Sequence, residues 1–290
     1  MNRKELTVSW LTISASLLFI GRGIQHIFWD APFRTFFWDE ALLKPVVEGL
    51  FRVNWHYYVT SPVMDSWING MVTGTGVLYI MAAIAVFFLK ADQPYKYVAK
   101  GIVLFSGVGL FILAVLYSKE KFFQLGQLLE YSAQVGTPFL LLYMTQKERK
   151  FPVLVAKGLV ALTFVCHGLY AVGFYPLPGS FVDMTIQTLH VTEGQAKVFL
   201  HIAGVLDFVV AIGIFVPRVA QTMLLYMAFW GGVTSLARIT GHFQEAFLFD
   251  TISYWCPQML LRVPHALLPL TLYWHLKQSV DIKTGKVEMA

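Results

Sequence analysis

Long apolar runs dominate this chain, and two of them carry an ionisable residue far from either end. They lie between Leu159 and Arg218, as LVALTFVCHGLYAVGFYPLPGSFVDM and then VFLHIAGVLDFVVAIGIFVPR. Neither run alternates as a half-buried strand would. Each approaches the roughly 20 mostly apolar residues that a helix needs to cross a bilayer. His167 sits in the first run and Asp207 in the second. Ionisable groups at membrane depth are costly, so each is a functional candidate by default.

Composition agrees with a membrane chain. Of 290 residues 57% are hydrophobic and 13% charged, about half the charged share of a soluble domain. The net charge of +5 comes from basic residues that punctuate apolar runs and form no patch, so no nucleic-acid partner is expected. Cys166 and Cys256 have no metal-ligand spacing, and no metal site is expected. The basic start MNRKELTVSW reads as the head of the first helix, not a cleaved signal, because no small-x-small site follows.

The fold expected is all-α, with about eight transmembrane helices near 8–28, 67–89, 101–118, 123–145, 154–175, 196–216, 219–237 and 253–276. Arg3, Lys4, Lys90, Lys96, Lys100, Lys147, Arg149, Lys150, Lys157, Arg218, Lys277, Lys283 and Lys286 fall on one side of this arrangement. By the positive-inside rule that side, with both termini, faces the cytoplasm. Trp29, Trp38, Trp55, Trp67 and Trp255 near the outer ends, with Trp10 and Trp274 near the inner ends, make an aromatic belt.

The halves repeat. With Gly23 laid on Gly168, Arg22 falls on His167 and Trp29 on Phe174; GVLYIMAAIAVFF at 76–88 lies over GVLDFVVAIGIFV at 204–216, so Tyr79 falls on Asp207. Gly107, Ser118 and Gln134 fall on Gly231, His242 and Gln258 at one constant offset. Two four-helix units of even helix number insert the same way up, as a parallel repeat. The expected organisation is a first repeat over 1–150, a second over 151–280 and a tail at 281–290, whose KTGKVEMA stretch from residue 283 is expected to be disordered. The outer loop 29–66 is long and aromatic, with an amphipathic helix expected over 40–53.

Polar residues at depth or near helix ends are the site candidates. Arg22 and His26 share a face at i, i+4, as do Arg238 and His242. Glu130 is the natural partner for either arginine. Arg262 and His265 lie beside Pro264 in mid-run. His167 and Asp207 match in depth across the fifth and sixth helices and form the expected catalytic pair, a carboxylate orienting an imidazole. Arg22, His26, Glu130, Arg238 and His242 form the expected binding set. An ordinary structural role, a polar clamp or an interfacial charge, is the competing reading for each.

A helix ending in His167-Gly168 and an aromatic, a loop with Pro178, Gly179 and Phe181, and a helix with Ala203-Gly204-Val205-Leu206 and a Pro217-Arg218 stop together resemble the DoxX/DoxD-like membrane proteins. The likeness covers roughly 85 residues, and a fold-level likeness alone does not carry a function to a site. It implies a membrane subunit of a redox complex in the bacterial inner membrane, with a quinone as ligand and an oxidoreductase activity shared with a partner that supplies the electron carrier. Two other readings stay open: a non-enzymatic accessory subunit docking a protein partner through loop 29–66, and a small-molecule transporter. Membrane lipids are partners in all three.

Overall fold

A computed structural model describes residues 3–90, 94–146 and 149–283, and every regular element among them is helical. The long helices are α1 (Arg3–Phe28), α5 (Pro62–Ala85), α6 (Tyr95–Glu120), α9 (Val153–Ala171), α11 (Glu193–Gly213) and α12 (Ala220–Thr240). Short ones are α2 (Arg34–Phe37), α3 (Glu40–Gly49), α4 (Trp55–Thr60) and α10 (Gly179–Leu189). Two broken pairs complete the set: α7 (Leu125–Glu130) with α8 (Ser132–Met144), and α13 (Leu248–Leu260) with α14 (Pro264–Lys283). The tail expected to be disordered lies, from residue 284 on, outside the described residues.

Five helices are long and apolar enough to cross a membrane: Lys4–Phe28, Pro62–Phe88, Tyr95–Glu120, Val153–Ala171 and Glu193–Gly213. The sequence reading expected eight spans. Its fourth and eighth candidates are each interrupted, at Tyr131 and at 261–263. The seventh, α12, is diluted by Gly231, Gly232, Thr234, Ser235 and Arg238. Of the five, α1 is the central one, with 61% of its apolar window inside the bundle against 39% for each of the others. The outward faces of the remaining helices carry Phe87, Phe105, Phe111, Ile212 and Phe229, all exposed. A soluble monomer rarely shows so continuous an apolar surface.

The core runs through both halves of the chain. Leu11, Leu18 and Phe19 of α1 join Leu141, Met144, Ile214, Leu224, Met227 and Leu268 in one cluster. Close helix approach depends on paired glycines. A Cβ on Gly23 would sit 3.1 Å from the Gly76 carbonyl oxygen, and one on Gly168 would sit 2.9 Å from that of Gly204. These two contacts hold α1 on α5 and α9 on α11 through backbone packing, as small residues do between apolar helices. Across the halves, α1 packs on α13 and α14, while α9 packs on α7 and α8.

Helix ends follow local chemistry. Gly173, at φ 84°, closes α9: Phe174 N–H donates to the Leu169 carbonyl and Gly173 N–H to that of Tyr170, a Schellman stop. Thr192 and Gln195 form a reciprocal capping box at the start of α11. The expected loop helix appears as α3, capped where Asp39 accepts from Leu42 N–H at 2.9 Å. Both ends of the described chain lie at the same end of the bundle, where Lys4 Nζ donates to the Gln146 carbonyl at 3.0 Å and Thr7 meets His275 at 3.3 Å.

Candidate functional site

A cavity of about 80 Å³ opens where α9, α11, α12 and the α13–α14 break meet beneath α10. His167 of α9, Asp207 of α11, Arg238 of α12, and Arg262 and His265 at the break all line it. Phe164, Phe181, Met184, Leu200 and Trp230 supply apolar walls. Gly231 lets the break come this near, since any Cβ there would collide with the His265 carbonyl.

The break exists because Pro264 cannot continue α13 through its missing N–H. It turns the Arg262 carbonyl inward, where His265 Nδ1–H donates at 2.8 Å and Ser235 Oγ–H at 3.4 Å. The same device recurs twice. His26 Nδ1–H donates to the Arg22 carbonyl at 2.7 Å, and His242 Nδ1–H to that of Arg238 at 3.0 Å. Each deep arginine is thus followed, three or four residues on, by a histidine tied to its backbone.

At one end of the cavity three groups cluster. Glu130 Oε1, from α7, lies 3.8 Å from Arg262 Nη2 and 3.9 Å from His167 Nε2. Arg262 Nη1 lies 3.5 Å from His167 Nε2. These spacings are long for direct hydrogen bonds and leave room for a bridging oxygen. His167 also meets the His265 ring edge-on at 5.3 Å. Arg238 lies over the Phe181 ring at 5.8 Å, and its Nε has no hydrogen-bond partner among the described residues. Asp207, also on the lining and only 4% exposed, has an oxygen (Oδ1) with no hydrogen-bond partner among them. Taking a charge out of water costs several kcal/mol when nothing pairs with it.

The sequence candidates therefore divide into three places. His167, Asp207 and Arg238 line the cavity together with Arg262 and His265, which the expected binding set leaves out, and Glu130 stands beside it near Arg262 and His167. His167 and Asp207 share the cavity without bonding to each other; the groups nearest His167 Nε2 are Arg262 and Glu130. Arg22 and His26 belong to a separate, sealed cluster. Arg22, 2% exposed, donates to Gln25 Oε1 at 2.9 Å and Gln134 Oε1 at 2.8 Å. Its guanidinium lies 5.6 and 5.4 Å from the ring centres of Tyr117 and Tyr131, within cation–π range. Glu130, the carboxylate expected for Arg22, is the partner of Arg262 instead. His242 stands apart, stacked on Trp255 at 3.5 Å. The Arg–His spacing is the available signal for Arg262 and His265; in the cage of Arg22 only Gln25, at i+3, has one, since Tyr117, Tyr131 and Gln134 lie far along the chain.

Both cysteines are free. Among the described residues no group of three or more His, Cys, Asp or Glu side chains is placed to hold a metal ion. The arrangement defines an all-helical protein with helices fit to cross a membrane and a buried, charged cavity among them. Comparison with known proteins finds no matching family model, no matching curated protein and no matching solved structure.

Proposed function

We propose that this protein is an integral membrane protein of two parallel four-helix repeats, and that its second repeat binds a small polar solute at the depth of the bilayer. One observation carries the reading: a cavity buried among long apolar helices has unpartnered Arg238 and Asp207 side-chain atoms on its walls. Polar groups in such a place are retained for a task or for a partner.

The repeat gives this reading a counterpart. Tyr79 and Asp207 are the corresponding residues of the two units. The Tyr79 ring stacks on Phe19 at 5.9 Å, meets His26 edge-on at 5.1 Å and fills the space beside Gly109. Where the first repeat holds a phenol ring, the second holds a short carboxylate and a cavity. The matched glycine pairs, Gly23 with Gly76 and Gly168 with Gly204, support the same alignment. Eight spans follow if each broken pair crosses once and α12 crosses with its polar face inward. Lys4, Arg149, Lys157, Arg218 and Lys277 gather toward the end that holds both termini, which favours that end as the cytoplasmic one. A bacterial inner membrane is the setting that the DoxX-like resemblance implies.

A quinone is the ligand implied by that resemblance, and with it a place in a redox complex. The aromatic walls and the donors of Arg238, Arg262 and His167 suit a quinone ring. The volume does not, because about 80 Å³ is half the ~150 Å³ of a protein cavity that accepts benzene. A quinone would enter only if α10 moved aside; a solute of a few heavy atoms needs no movement. The accessory-subunit reading draws on Phe36, Trp38, Phe51 and Tyr57, exposed in the 29–66 loop.

Binding to the purified full chain in mild detergent tests the proposal. A short-chain water-soluble quinone and a series of small polar solutes are titrated against wild type and Asp207→Tyr, which restores the residue type of the first repeat. Wild type is expected to bind at least one of them and Asp207→Tyr none. Quinone binding would favour the redox reading. Equal behaviour of the two proteins toward every solute would overturn the site.

A further inference from the structure

We propose that the solute is a small monoanion bearing oxygen, of the size of formate or acetate, and that it is bound together with one proton held on Asp207. The inference rests on the cavity being a binding site and adds the charge of its occupant.

The argument is a balance of charge. The groups that face the cavity or the residues on it are His167 from α9, Asp207 from α11, Arg238 and Tyr226 from α12, Arg262 and His265 at the α13–α14 break, and Glu130 from α7. The covering helix α10 adds only Phe181 and Met184 to the lining. Glu130 answers Arg262. Arg238 is left over, 8% exposed, with an aromatic ring below it and no carboxylate within 4 Å among the described residues. Asp207 is the remaining carboxylate on the cavity, and its Oδ1 has no hydrogen-bond partner among the described residues. The two side chains line one cavity without bonding to each other, so Asp207 offsets the Arg238 charge only across the space between them.

Two states are then balanced. In one the cavity is empty and Asp207 is ionised. In the other an oxyanion accepts hydrogen bonds from Arg238, in the charge-assisted geometry that guanidinium favours, and Asp207 carries a proton. An anion beside an ionised Asp207 leaves an excess negative charge in a medium of low dielectric, and an empty cavity with a protonated Asp207 leaves an excess positive one. Anion and proton therefore favour each other's binding, and linkage makes the coupling reciprocal. The volume agrees, since about 80 Å³ admits an ion of three or four heavy atoms, a water molecule's share of liquid being about 30 Å³.

The test titrates sodium formate and sodium acetate into the full-length protein by calorimetry between pH 5 and 8, in two buffers of different ionisation enthalpy. Formamide and acetamide serve as neutral analogues of the same shape. Wild type is expected to bind the anions with uptake of one proton, and the Kd to fall by up to tenfold per unit of decreasing pH. Asp207→Asn should bind them with no dependence on pH. Arg238→Gln should lose at least tenfold in affinity, and Arg238→Lys, which keeps the charge, should recover part of it. Thermal unfolding of each variant separates loss of binding from loss of fold. If the amides bind as well as the acids, or if no proton is taken up, the anion proposal fails while the cavity remains a solute site. If neither class binds, both readings fail.

Discussion

Arg22 shows how a buried charge can be carried without a counter-ion beside it. Two glutamine oxygens accept its hydrogen bonds and two tyrosine faces spread its field. Each of these bonds has a charged donor, which places its worth near 1.5–3 kcal/mol. Gln134→Leu, which keeps most of the volume, is therefore expected to destabilise the protein by about that amount, read as a lower midpoint of thermal unfolding in detergent. The same substitution at exposed Gln187 should leave the midpoint in place. The reason this cage could not be read in the sequence is geometric. A single helix gives the depth of a residue and its neighbours at i+3 and i+4, but not which side of it meets which other helix. Depth alone put Glu130 with Arg22 or Arg238, and His167 with Asp207. Packing sent Glu130 to Arg262 and left Asp207 facing open space.

Helix limits were far more legible than helix breaks. The sixth helix was expected over 196–216 and runs over 193–213, its start marked by Thr192 and Gln195. The loop helix expected at 40–53 appears at 40–49, marked by the Asp39 cap. The break at 261–263 has a signal in Pro264, but the apolar residues around both breaks keep each candidate span's hydropathy high, so a hydropathy reading runs straight through them. Helix contact carries its own prediction. A side chain at Gly168 meets the Gly204 backbone, and neither helix can retreat without opening the cavity wall. Gly168→Val should cost about 1–3 kcal/mol or more, whereas Gly74→Val, with open space around it, should be nearly silent; thermal unfolding of the two variants compares them. The Asp39 cap is sensitive to pH. Its bond to Lys119, then the Leu42 N–H, holds its carboxyl below the usual aspartate range. A lowered folded-state pKa contributes stability above the unfolded value and loses it as pH falls through the folded one. Amide exchange in α3 should therefore accelerate as pH drops below about 4, after correction for the intrinsic rate, and Asp39→Asn should remove most of that change.

At the scale of the whole molecule the halves are interlocked. α1 is completed by α13 and α14, and α9 by α7 and α8. Cutting the chain between Lys150 and Phe151 and co-expressing the pieces should give a complex that co-purifies, while either piece alone should be degraded; immunoblots of membranes report both outcomes. The interlock also sets an order of events during synthesis. α1, made before every other described helix, contains the fully buried arginine and the core residues Leu11, Leu18 and Phe19. Its last partners are about 220 residues further on, and ribosomes add roughly 5–20 residues per second. For tens of seconds, then, α1 stands in the bilayer with one flank bare, and Gly21, which will lie against Leu261 and the Pro257 carbonyl, faces lipid or whatever holds the nascent chain. The centre of this bundle is made well before the helices that close over it.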